Sequence, residues 1–226
     1  MKKNLIIWDF DGVIADSEKI WIKNRQDVLN EKFNLGWDFN TTNNYLGGMS
    51  DKSKKEVLDN LGIITDEAFW NECLKRDILC IKNKEMIATP YIEDVIKILD
   101  KYCVATGGVF IKTVEKLKAI DFWNKYFSKN NLFTVDMVEK GKPEPDLFLY
   151  ACEKMGEKPE NCLVIEDSLV GMMAAKKAGM EVIAFLGSNM YQNDNYLNKV
   201  KDLNVKNIFY DMRDVKEYLL ENGWIK

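Results

Sequence analysis

Leu5-Ile6-Ile7-Trp8-Asp9-Phe10-Asp11-Gly12-Val13-Ile14-Ala15-Asp16-Ser17 decides how this chain is read. Four consecutive apolar residues give way at once to two aspartates spaced by one residue. A short apolar run with no polar alternation is the pattern of a strand buried on both faces, as in a parallel sheet. Outward from it, apolar runs alternate with helical spacings. Ile92, Val95, Ile96 and Leu99 lead into Tyr102-Cys103-Val104-Ala105, and Phe110, Val114 and Leu117 lead towards Leu132-Phe133-Thr134-Val135. Pro145 suits the first turn of a helix that carries Leu147, Phe148 and Ala151 and closes at Gly156. A strand is expected at 162–165, then a helix with Ser168 as N-cap, Lys176 and Lys177 in its last turn and Gly179 at its end. Residues 182–185 and 208–210 read as further strands, and 215–220 as a closing helix. Strands alternating with helices predict an α/β fold, a doubly wound and mainly parallel sheet with helices on both faces.

One segment breaks this rhythm. Residues 16–87 contain no strand run but several helical ones, such as Val57 and Leu61 closed by Gly62. Trp70, Cys73, Leu74, Ile78 and Ile81 form another, behind Thr65 as N-cap. The expected organisation is an α/β core of residues 1–15 and 88–226 with a helical cap inserted at 16–87. Ligands of open α/β sheets bind beyond the carboxyl ends of the strands, so an insertion there would overhang the site.

Composition removes several function classes. The 226 residues include no His, so Ser-His-Asp hydrolysis, Cys-His proteolysis and His-ligated zinc are excluded. With 32 Lys+Arg against 36 Asp+Glu the net charge is −4, which lacks the basic footprint of a nucleic-acid binder. The run Lys52-Ser53-Lys54-Lys55 reads as a solvated helix face. Cys73, Cys80, Cys103, Cys152 and Cys162 are odd in number and contain no C-x-x-C pair, which fits a reducing compartment. The apolar run after Lys2-Lys3 stops at Asp9, too early for a secretory signal, and no stretch reaches the roughly 18 apolar residues of a membrane span. The expectation is a cytoplasmic, monomeric protein with no membrane or nucleic-acid partner.

The polar residues that follow the strands point to phosphoryl transfer. Asp9 and Asp11, Thr106-Gly107-Gly108, Lys142 within Gly141-Lys142-Pro143-Glu144-Pro145-Asp146, and Glu166-Asp167-Ser168 all fall at strand ends or in the loop after one. Carboxyl ends of parallel strands share one edge, so these groups are expected to converge. Asp9, Asp11, Glu166 and Asp167 make an anionic, oxygen-rich set of the kind that suits Mg2+. An Asp can carry a phosphoryl group covalently, Thr106 and the backbone at Gly107 can donate to its oxygens, and Lys142 can offset its charge. Gly171, Ala174, Ala175 and Ala178 read as small residues for helix–sheet packing.

D-F-D-G-V-I-A-D-S, T-G-G, G-K-P-E-P-D and E-D-S-L-V-G-M-M-A-A-K-K-A-G-M resemble, in order, the four motifs of the haloacid dehalogenase superfamily. The chain is most similar to its β-phosphoglucomutase-like group of phosphatases and mutases. The resemblance implies Asp9 as nucleophile and Asp11 as general acid and base. It implies Thr106, Gly107 and Lys142 as the phosphoryl cradle, with Lys142 also paired to Asp9. It implies Asp9, the backbone carbonyl of Asp11 and Asp167 as ligands of Mg2+, with Glu166 either a further ligand or a partner of the ligands. The expected activity is magnesium-dependent hydrolysis of a small phosphorylated sugar, sugar acid or polyol through an aspartyl-phosphate, with a phosphosugar mutase as the alternative. The sugar mutases of the group carry a cap His and an Arg where this sequence has Trp21 and Asp51, which favours hydrolysis. Gly48 and Ser50 of the Gly47–Ser50 turn, with Lys75 and Arg76, are the cap residues expected to meet the substrate.

Overall fold

The computed structural model describes residues 4–47, 49, 51–187 and 194–225. The chain leaves its first unit after one strand and returns to it later: Met1–Asp16 with Ile87–Lys226 forms one unit and Ser17–Met86 the other. In chain order, β1 (Leu5–Trp8) is followed by α1 (Glu18–Phe33), α2 (Phe39–Leu46), α3 (Asp51–Asn60) and α4 (Glu67–Lys82), which make up the second unit. The first unit resumes with α5 (Ile92–Ile96), β2 (Tyr102–Thr106), α6 (Phe110–Ala119), β3 (Leu132–Thr134) and α7 (Asp146–Lys154). It finishes with β4 (Cys162–Glu166), α8 (Leu169–Lys177), β5 (Glu181–Phe185), α9 (Asp194–Asp202), β6 (Asn207–Phe209) and α10 (Met212–Glu221).

Among the described residues the strands form one sheet in the order β3-β2-β1-β4-β5-β6, every pair parallel. The order reverses between β1 and β4, and such a switch point opens a crevice at the carboxyl ends of the two strands. The register sets Trp8 opposite Ile165, and the Asp9 amide donates to the Ile165 carbonyl at 2.9 Å. Asp9 and Glu166 therefore emerge side by side at that crevice. Leu5, Ile6, Ile7 and Trp8 are all buried, which explains why β1 shows no alternation. Leu5, Ile7, Cys103, Ala105 and Val164 pack with Leu147, Phe148 and Ala151 of α7 and with Met172, Ala174 and Ala175 of α8. Burying each large aliphatic side chain contributes about 1.5–3 kcal/mol, so this layer fixes the strand ends firmly. The unit closes across its excursion where the Thr89 amide donates to Ile14 at 2.8 Å and Ala15 pairs with Ala88.

The helical unit is held by a buried ionic knot as well as by apolar packing. Arg25 on α1 puts Nη1 at 2.6 Å from each carboxylate oxygen of Asp77 on α4, and Asn24 donates to the same carboxylate at 2.9 Å. Two sequence expectations are corrected in this unit. Asp66, not Thr65, caps α4, because its carboxylate accepts from the Phe69 amide, while the Thr65 hydroxyl accepts from the Trp70 indole. Lys54 is not on a solvated face: it is buried beside Leu58 and lies 3.6 Å from Glu18, while Lys52 and Lys55 are exposed. Among the described residues no helix is long and apolar enough to cross a membrane.

Candidate active site

Asp9 leaves the end of β1 with its carboxylate buried. The loop behind it turns tightly, since the Phe10 carbonyl accepts from the amides of Ile14 and Ala15 at 2.9 and 3.1 Å. Gly12 has φ of +84°, and a Cβ there would stand 1.9 Å from Asp167 Oδ2. Glycine is therefore required twice, for the left-handed backbone and for the approach of the Asp167 carboxylate.

Lys142 is the centre of the arrangement. Its Nζ lies 2.5 Å from Asp9 Oδ1, 2.8 Å from Glu166 Oε2 and 4.8 Å from the centre of the Phe148 ring. The other oxygen of Glu166 accepts from the Ser168 amide at 3.0 Å and from the Ser168 hydroxyl at 2.6 Å. Ser168 in turn caps α8 by accepting from the Gly171 amide at 3.1 Å. Asp167 is buried next to Glu166, and its backbone carbonyl accepts from the Tyr196 hydroxyl at 2.6 Å. Thr106 ends β2 almost fully buried, with its hydroxyl accepting from the Gly108 amide at 3.2 Å. Nothing lies within 4 Å of where a Cβ on Gly107 would stand.

Carboxylate oxygens of Asp9, Glu166 and Asp167 all lie within 4.8 Å of one another, and all three residues are buried. Three buried carboxylates so close together repel one another, and a divalent cation between them would offset that repulsion. The donor set, all hard oxygen, fits Mg2+. The same crowding acts on Asp9: burial first, then the Glu166 charge, push its pKa from 3.8 up to about 7 against the opposing pull of Lys142. Burial works against the charge on Lys142 too, but Asp9 and Glu166 outweigh it and hold its pKa above the ordinary lysine value.

The structure brings Asp9, Lys142, Glu166 and Asp167 together at one strand edge, with Thr106 on the neighbouring strand. The Asp11 carboxylate is not part of the acidic trio. It pairs with Lys116 on α6, whose Nζ lies 2.5 and 2.7 Å from its two oxygens. Lys116 and Tyr196 were not legible beforehand, because a lysine or tyrosine on an amphipathic helix carries no local sign of where its tip will reach.

Gly171 is more than a packing residue: a Cβ there would fall 2.1 Å from Glu166 Cδ. In the helical unit, Arg76 is engaged by Glu31 and Glu72, and Lys75 is largely exposed with Glu72 at 3.9 Å. Asp51 accepts from Arg25 at 3.2 Å. The expected substrate contacts Gly48 and Ser50 lie outside the described residues.

The model of the haloacid dehalogenase-like hydrolases matches residues 6–185. A bifunctional riboflavin kinase/FMN phosphatase from Arabidopsis thaliana is 46% identical over 69 residues, covering 30% of this chain and 18% of that protein. A phosphorylated carbohydrates phosphatase from Thermotoga maritima is 24% identical over 182 residues, covering 79% of this chain and 82% of its own. The chain thus spans from under a fifth to about four fifths of the length of these curated relatives. Among solved structures, a hydrolase from Deinococcus radiodurans with bound phosphate and sodium superposes with a TM-score of 0.84 at 21% identity. That match covers 100% of this chain and 98% of the other.

Proposed function

The chain belongs to the haloacid dehalogenase-like hydrolase family, and from that membership we propose that it is a magnesium-dependent phosphatase of a small phosphorylated metabolite. The substrate is a sugar, sugar acid or polyol phosphate, a reading supported by the name of the Thermotoga maritima relative. One observation carries the proposal: the Lys142 ammonium bridges Asp9 and Glu166 inside a buried trio of carboxylates. That arrangement presents a nucleophilic oxygen and a fixed positive charge at the same point, which phosphoryl transfer requires.

In the first step an Asp9 oxygen attacks phosphorus and the bond to the leaving oxygen breaks, forming an aspartyl-phosphate. Asp11 gives the departing oxygen its proton. In the second step Asp11 takes a proton from water as that water attacks phosphorus and frees the Asp9 carboxylate. Lys142 and the Thr106 hydroxyl meet the charge that builds on the phosphoryl oxygens. Asp9, Glu166 and Asp167, with the Asp11 backbone carbonyl, would hold Mg2+, which supplies Lewis-acid neutralisation of the phosphate dianion.

The test is phosphate release from a broad panel of phosphate monoesters with and without Mg2+. Release that needs Mg2+ and is lost in Asp9→Asn is the expected result. No release from any ester, or full turnover by Asp9→Asn, overturns the proposal.

A further inference from the structure

Asp9 and Asp11 are separated by one residue, yet each is matched to a different lysine. Lys142 holds Asp9 within the acidic trio, while Lys116 holds Asp11 outside it. The geometry points to Lys116 as the positioning residue for Asp11, an inference that rests on the acid–base role proposed above for Asp11.

Three features carry it. Lys116 is 105 residues from Asp11 in sequence, but its ammonium meets both carboxylate oxygens at hydrogen-bond distance, which holds the head of that side chain in place. The lysine is itself fixed: it is 4% exposed, sits beside the buried Thr113 and Leu117 of α6, and has its Nζ 5.3 Å from the centre of the buried Phe10 ring. Finally, the pair is asymmetric. The Asp11 side chain keeps 33% exposure where that of Lys116 keeps 5%, so the acid remains open to a ligand while its anchor does not.

Packing alone gives no reason for a lysine here. Burying an ammonium carries a desolvation cost that an apolar residue of similar volume avoids, and α6 already places Lys118 at the surface on Glu115. The charge at 116 serves the carboxylate it meets. By meeting both oxygens of Asp11, Lys116 keeps a fourth carboxylate out of the trio and holds its head in place. One oxygen leaves the ammonium and takes up a proton before Asp11 passes that proton to the leaving oxygen.

The experiment reads kcat/KM for p-nitrophenyl, phenyl and benzyl phosphate, whose leaving oxygens are progressively more basic. This parameter reports the step in which Asp9 is phosphorylated, where protonation of the leaving oxygen matters least for nitrophenol and most for benzyl alcohol. Lys116→Met is expected to steepen the decline across the series, losing about tenfold more on benzyl than on nitrophenyl phosphate, a part of what general acid catalysis supplies. Lys116→Gln, which keeps a donor without the charge, shows a smaller steepening and serves if the methionine variant does not fold. Asp11→Asn steepens the series fully, and adding Lys116→Met to it steepens it no further.

Equal losses on all three esters, or no loss, would make Lys116 purely structural and overturn the inference. If Asp11→Asn leaves the wild-type gradient intact, the acid role of Asp11 falls and the inference falls with it. If the wild-type protein releases no phosphate at all, the proposed function fails before either. The three failures are thus distinct.

Discussion

Gly171 leaves the space that the Glu166 carboxylate fills: a Cβ on Gly171 would stand 2.1 Å from Glu166 Cδ and 2.3 Å from Oε2. Glu166 cannot simply move aside, because Lys142 holds one oxygen and Ser168 the other. Gly171 lies inside α8, where alanine ordinarily gains about 0.5–1 kcal/mol over glycine. Gly171→Ala is therefore expected to fold with a melting temperature near that of the wild type while losing most phosphatase turnover. Circular dichroism melts run beside phosphate-release assays check this; full turnover would show that Glu166 tolerates displacement.

Removing the ammonium of Lys142 leaves Asp9 and Glu166 facing each other without their shared cation. Lys142→Met is expected to lower kcat by about 10²–10³, the scale of losing one fixed donor to a developing oxyanion. Its kcat should fall far more than its KM rises if the lysine acts on the transition state, and steady-state kinetics on one turned-over ester separates the two.

The raised pKa of Asp9 sets a direction for pH. The folded, metal-free protein keeps the Asp9 proton up to about 7, whereas the ordinary value is 3.8. As pH rises through that window the unfolded chain gives up its proton first, so the contribution of Asp9 to stability declines. Metal binding needs the ionised carboxylate, so Mg2+ affinity is expected to climb as pH rises through neutrality and to release a proton where Asp9 is still protonated. Calorimetric Mg2+ titrations below and above neutrality, in buffers of different ionisation enthalpy, measure both. An affinity independent of pH would contradict it.

In the helical unit, Arg25 and Asp77 are 4% and 1% exposed and hydrogen-bonded to each other. Taking away one member strands a buried charge, which costs about 3–5 kcal/mol. Arg25→Met is expected to destabilise the protein by an amount of that order, and Arg25→Met with Asp77→Leu by clearly less. Urea denaturation of the single and double variants gives the comparison.

Much of this protein was legible in local pattern. The apolar runs at residues 5–8, 102–105 and 162–165 lie within strands whose ends differ from them by at most one residue. Ser168 sits at the cap of α8, and Gly156 and Gly179 take the positive φ of chain reversals. These features were readable because strand burial, capping and reversals are set within a few residues of sequence. The α4 cap was misassigned by one residue, since Thr65 and Asp66 are both good caps and only the direction of the chain selects between them.

The sequence by itself determined which strand ends carry acids and a hydroxyl and which following loop carries a lysine, and the parallel order of strands then placed those ends on one edge. The resemblance of its motifs already implied that Lys142 pairs with Asp9, but only the tertiary structure decided that Asp11 has a lysine of its own. Lys116 reaches Asp11 across 105 residues, and nothing in its neighbourhood on α6 names that partner. The reason is physical. A side chain's secondary structure follows from neighbours a few positions away, but the burial that makes an ammonium seek a carboxylate exists only after distant segments have packed.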